Sequence, residues 1–138
     1  SLLEGLCAKW ATENITPEQL EEMEENVYLA EFHAAKGHTP QIAELDNRFH
    51  EIMYEACNSK MLEKQLRDFH DYVLRVRKKT LSENKRSTES NKEHKFILEA
   101  IKSGDPLKAE AEANKHVISA YENMVKNGLH EAYATDED

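Results

Sequence analysis

Glycine and proline are scarce in this chain, 4 and 3 among 138 residues, while 33% of the residues are charged. That composition argues against a turn-rich β architecture and for long helices. Cysteine is nearly absent. Cys7 and Cys57 stand in no CxxC or zinc-ribbon spacing, and both lie in apolar stretches. They read as reduced core residues of a cytoplasmic protein, with their pairing left open. Long apolar runs are missing as well: nothing approaches the roughly 20 residues of a membrane span, and no signal-peptide pattern opens the chain. No membrane partner is therefore expected. Basic residues are outnumbered, 18 against 27 acidic, for a formal net charge of −9. A surface of that sign repels phosphate backbones, so direct contact with nucleic acid is not expected from these residues. The chain enters a helical pattern at once (Leu2, Leu3, Leu6), as expected of a piece of a longer protein.

What is present is a clear set of helix signals. Each proline follows a capping residue: Thr16-Pro17, Thr39-Pro40 and Asp105-Pro106. Thr and Asp side chains accept from the exposed N–H groups of a first turn, and proline suits the first helical position. Gln19 completes a capping box with Thr16. Gly37 and Gly104 stand where the preceding helices should end. The pattern predicts helices over 2–14, 17–36, 40–57, 59–84, 88–103 and 106–127. The polar segment 82–92 reads as a loop, and 128–138 as a frayed acidic tail. The expected fold is all-α, an antiparallel bundle of about six helices in one domain spanning 1–127.

Four ionisable residues break the apolar stripes of these helices. Around the helix from Thr39, Ile42, Leu45, Phe49, Ile52, Met53 and Ala56 form one stripe, opposite Glu44, Asn47, Arg48, Glu51 and Glu55. Asp46 and His50 fall on the apolar side, one turn apart and pointing the same way. His94 is in phase with Ile97, Leu98 and Ile101, and His116 with Ala109, Ala113, Val117, Ala120 and Met124. Polar groups buried without partners cost several kcal/mol each, on the order of 2–7. One reading joins all four as ligands of a divalent transition metal, for which zinc, nickel, manganese, iron and cobalt all suit and among which the residues do not choose. In an octahedral arrangement, water or a small carboxylate would complete the shell. The alternative is a buried polar network, with Asp46 bonded to His50 and the other two histidines satisfied separately.

The remaining histidines and three arginines carry unequal signals. His38 and His130 lie near helix ends and read as solvated, and His33 is uninformative. His70 is in phase with Leu66, Phe69, Val73 and Leu74, and Arg77 shares that stripe. A buried arginine requires an anionic partner, and its planar fork suits a carboxylate. That partner is either an effector or a protein carboxylate. Arg67 lies at the edge of the stripe, and Arg75 points outward.

The string LDNRFHEIMYEACNSKMLEKQLRDF, followed by EHKFILEAIKSGDPLKAEAEANKHV, resembles the C-terminal ligand-binding (FCD) domain of the FadR/VanR-type branch of GntR transcription regulators. The features that carry the resemblance are Asp46, Phe49, His50, Asn58, Glu93, His94, Ala100, Gly104, Asp105 and His116. It implies a helical bundle, closest to the smaller VanR-type layout, that encloses a metal and effector cavity. In metal-containing members an Asp and three His coordinate the ion, here Asp46, His50, His94 and His116, and the ion helps to bind a carboxylate-bearing effector. Effector contacts are then expected from Arg77, His70 and Arg67. The resemblance further implies a homodimer and an N-terminal winged helix-turn-helix that binds DNA, of which these residues contain nothing. Family members commonly carry an effector-contacting arginine a few residues ahead of a glutamate resembling Glu4; that position would fall just before Ser1.

The leading expectation is a non-enzymatic, metal-dependent domain that senses a small carboxylate such as citrate, malonate, lactate or a sugar acid. Two alternatives stay open. A metal-dependent hydrolase would use the same ions to activate water, but its best base, Glu93, points about 100° from His94 along the helix. A helical interaction module would keep the histidines as purely structural groups.

Overall fold

Thr16 behaves as its sequence demands. Its hydroxyl accepts from the Gln19 N–H at 3.1 Å while the Gln19 side chain accepts from the Thr16 N–H at 3.0 Å, opening a helix at Pro17. The structure, a computed structural model, describes residues 2–79 and 84–126, with side chains for 3–75 and 86–126. The order is α1 (Leu2–Asn14), α2 (Pro17–Lys36), α3 (Thr39–Ala56), α4 (Lys60–Lys79), α5 (Asn84–Lys102) and α6 (Pro106–Lys126). Among the described residues there is no strand, and the fold is an all-α bundle. The tail expected over 128–138 lies outside them.

Gly37 and Gly104 close α2 and α5 at φ 70° and 71°, left-handed backbone that glycine adopts without steric penalty. Asp105 then opens α6, its carboxylate accepting from the Lys108 N–H at 3.1 Å. Two boundaries differ from expectation. Thr39 is the first residue of α3 rather than its cap, and His38, at the capping position, makes no side-chain bond there. The predicted loop over 82–92 is helical from Asn84 onward. Its polar residues divide: Arg86, Ser87 and Ser90 are buried and the Asn91 amide donates to the Val27 carbonyl at 3.2 Å, while Thr88, Glu89 and Lys92 are exposed. α4 is described as far as Lys79, and its expected continuation over 80–83 lies outside the described residues.

Packing follows the apolar stripes. α1 lies against α6, α5 against α6, and α2 against both α3 and α5. Close approach of α1 and α6 uses small residues, Ala8, Ala11, Ala109 and Ala113, all fully buried. At Gly5 an added Cβ would stand 2.3 Å from Asn114 Oδ1, so this crossing has no room for a side chain. Phe49, Ile52 and Met53 of α3 are fully buried at the centre, each contributing about 1.5–3 kcal/mol of transfer free energy. Cys7 and Cys57 are free thiols within the same core. α4 leans on α3 and α1. Its other side borders a cavity.

Candidate metal centre

Three helices bring the four residues into one cluster of overlapping pairs. Asp46 and His50 come from α3, His94 from α5 and His116 from α6, and all four are buried. The Nε2 atoms of His94 and His116 are 3.2 Å apart. Asp46 Oδ1 lies 3.4 Å from His94 Nε2 and 3.8 Å from His50 Nε2. Two donors each about 2.1 Å from one ion stand roughly 3.0–3.4 Å apart at right-angled to tetrahedral geometry. His50, His94 and His116 each offer a ligand atom within 4.8 Å of the others, and so do Asp46, His50 and His70. His70 thus joins the cluster on its second oxygen, with Nε2 3.8 Å from Asp46 Oδ2.

Carboxylates behind two of the imidazoles fix which nitrogen faces inward. Glu4 of α1, itself buried, accepts from His50 Nδ1 at 3.0 Å, and the Tyr54 hydroxyl donates to both Glu4 oxygens at 3.1 and 3.2 Å. Glu93 accepts from His116 Nδ1 at 2.7 Å while gripping Arg86 through two bonds of 2.9 and 3.0 Å. An imidazole that donates from Nδ1 to a carboxylate turns the Nε2 lone pair toward the cluster and becomes more basic there. Phe49 stacks on His94 with ring centroids 4.2 Å apart and planes 3° from parallel, holding that ring in place.

Electrostatics follow the same pairs. Burial pushes the Glu4 carboxyl up, but its bond to His50 and the charges of His50, His70 and His116 outweigh this and hold it below the ordinary range. Glu93 is likewise raised by burial and lowered further by His116 and Arg86, ending below its ordinary value. Burial holds His116 below the ordinary imidazole value despite the opposing pull of Glu93. Burial, then the Glu4 charge, drives the Tyr54 hydroxyl well up, so it stays a donor. Together these favour neutral His116 and anionic glutamates, the protonation states a metal site needs.

A cavity of about 550 Å³ opens from the cluster. Its floor holds Glu4, Asp46, His50, Tyr54, His70 and His116, and its walls are mainly aromatic and aliphatic residues of α4 and α6, with Ser90 and Glu122. A smaller cavity of about 60 Å³ lies on the other side of Asp46, against His94, Ser90 and Asn91. Among the described residues no Lys or Arg side chain lines the large cavity. The Arg77 side chain lies outside the described residues. Arg67 is placed elsewhere: it binds Glu63 at 2.9 Å and Glu55 at 3.2 Å, with Glu51 at 3.7 Å, and does not line the cavity. Periodicity does not reveal Glu4 and Glu93 as partners because their reach is between helices, and Tyr54, one turn beyond His50 on α3, was not singled out.

Comparison with known proteins adds two findings. The family model described as the FCD domain matches residues 1–119. The solved structure of E. coli McbR/YncC is similar in fold, with a TM-score of 0.75 at 20% sequence identity over 95% of this chain. The chain spans 60% of the length of that protein. A search of curated proteins finds no match.

Proposed function

Since this chain belongs to the FCD domain family, we propose that it is the effector-sensing domain of a GntR-type transcription regulator, binding a small carboxylate in a metal-dependent way. Asp46, His50, His94 and His116 would hold a divalent transition ion, with zinc, nickel and manganese the first to test. The observation that supports this most is the pairing of His50 with Glu4 and of His116 with Glu93, which presents both Nε2 atoms toward Asp46 and His94. A buried network with no ligand to hold would not need two imidazoles oriented on one point. An ion held there supplies the positive charge that the described lining lacks for an anion. His70, beside the second Asp46 oxygen, and Arg77 would then face the effector. Arg67, held by three glutamates, is better understood as a surface clamp between α3 and α4.

The chain's own residues also suggest how occupancy is felt. His50 is bonded to Glu4 on α1, and His116 to Glu93 on α5. A ligand that shifts either ring by a few tenths of an ångström displaces a neighbouring helix, and so biases the placement of attached DNA-binding domains in a homodimer. Direct DNA contact belongs to such an attached domain. The base that the hydrolase reading would use, Glu93, is already bonded to His116 and Arg86.

The test is elemental analysis of protein purified without a nickel column or chelator, followed by melting with added carboxylates. About one equivalent of metal, lost in His50→Ala, with a carboxylate-induced rise in Tm abolished by chelator, supports the proposal. No metal after reconstitution with zinc, nickel and manganese overturns it.

A further inference from the structure

The cavity has two chemically distinct ends, and the outer one is not built for a sugar acid or citrate. Phe69, Tyr72 and Val73 of α4 face Val117, Ile118 and Tyr121 of α6 across it. Four of these large side chains are left uncovered by the domain: Phe69 is 53% exposed, Tyr72 40%, Ile118 53% and Tyr121 63%. The imidazoles and the carboxylates of Glu4 and Asp46 lie at the other end, and at this end the Tyr72 and Tyr121 hydroxyls are uncharged. The remaining charged residue of the lining, Glu122, is acidic, so a second or third carboxylate on the ligand would meet like charge. A volume of about 550 Å³ is also generous for a three-carbon acid and falls within the range of drug-sized ligand sites, roughly 300–1,000 Å³.

We infer that the effector is an amphiphilic monocarboxylate, its head at the histidine cluster and an apolar or aromatic tail lying between α4 and α6. This rests on the proposed carboxylate-binding function and narrows it. The occupant is a small molecule, not a second copy of the chain, because the apolar walls and the donor cluster line one continuous cavity. Its tail would cover the four aromatic and aliphatic side chains that the fold leaves open.

The experiment titrates the metal-loaded domain with straight-chain acids from acetate to octanoate, with 3-phenylpropionate, citrate and gluconate, and with the matching alkanols. Affinity for the acids is expected to rise about fourfold per methylene, the tenfold-per-1.4 kcal/mol equivalent of about 0.8 kcal/mol each. Ile118→Asn and Tyr121→Ser should flatten that slope while leaving acetate binding and metal content unchanged. A slope near zero for the acids, or citrate or gluconate binding more tightly than hexanoate and 3-phenylpropionate, overturns the inference but leaves the metal-dependent carboxylate reading standing. Alkanols binding with the same slope while no acid binds would do the reverse: the tail site stands and the carboxylate head falls. If no acid and no alkanol binds, both fall. Sedimentation of the two variants covers the remaining occupant, since loss of a dimer together with an unchanged slope would assign the apolar walls to a second copy and refute the inference.

Discussion

Replacing Glu4 by glutamine separates the tuning of the site from its construction. The amide keeps an oxygen for His50 Nδ1, at 3.0 Å in the native protein, and its NH2 group can donate to the Tyr54 hydroxyl, so the local geometry survives. What is lost is the negative charge behind His50. Outer partners of this kind typically change metal affinity by 10–100-fold, about 1.4–2.7 kcal/mol. The metal-free domain should suffer less. A bond to a charged acceptor becomes one to a neutral acceptor, a difference of about 1 kcal/mol, or roughly 3–5 °C in Tm for a chain of this size. The assay is competitive metal titration against a chromophoric chelator, paired with melting of the metal-free protein. A dissociation constant within about twofold of the parent protein, against the 10–100-fold expected, would refute the idea that the Glu4 charge tunes His50. Glu93→Gln is a poorer probe, because it leaves the buried Arg86 without its carboxylate and would cost about 3–5 kcal/mol in stability.

Acid should destabilise the metal-free domain in two steps. His116 titrates below its ordinary 6.5 when folded, so the unfolded chain takes up that proton first and Tm falls as pH drops through 6.5 and below. Glu4 and Glu93, held below 4.5, add a second loss as pH falls under that value; a Tm that rises between pH 7 and 5 would contradict the assignment. Asn58, at φ 61° between α3 and α4, is in the left-handed region, so Asn58→Ala should lower stability by about 1 kcal/mol while Asn58→Gly is near neutral, measured by urea unfolding. Gly5→Ala drives a methyl to 2.3 Å from Asn114 Oδ1 and should destabilise. In an Asn114→Ala background the same change should instead stabilise by about 0.5–1 kcal/mol through helix propensity, and a loss in both backgrounds would refute the steric account.

Helix ends with a local signal were legible in most cases, the Thr39 cap being the exception. The capping box of Thr16, the Asp105 cap and the left-handed glycines are each complete within a few residues, and the structure shows each of them. The start of α5 was not, because Arg86, Ser87 and Ser90 are polar residues that the structure nevertheless buries. Phase places Asp46, His50, His94 and His116 on buried stripes but leaves open whether they meet; the structure brings them close. Phase says nothing of what lies across the gap. Glu4 is separated from His50 by the whole of α2 in the chain, and three glutamates claim Arg67 from the neighbouring turn and from α3. Phe69 was in phase with the core yet stays half exposed, since the stripe of α4 faces a cavity rather than a helix.

That one-sided support gives α4 an energy of its own. Held by α3 and α1, with open space toward α6, it can detach while the α1–α6 and α2–α5 contacts persist, so its amides should exchange with solvent through sub-global opening rather than global unfolding. The domain then has two free energies of opening. A molecule lodged between α4 and α6 adds its full binding free energy to both, since neither opened state retains the site. In fractional terms the increase is greatest for the smaller, and slowed exchange along α4 would be the most sensitive record of occupancy.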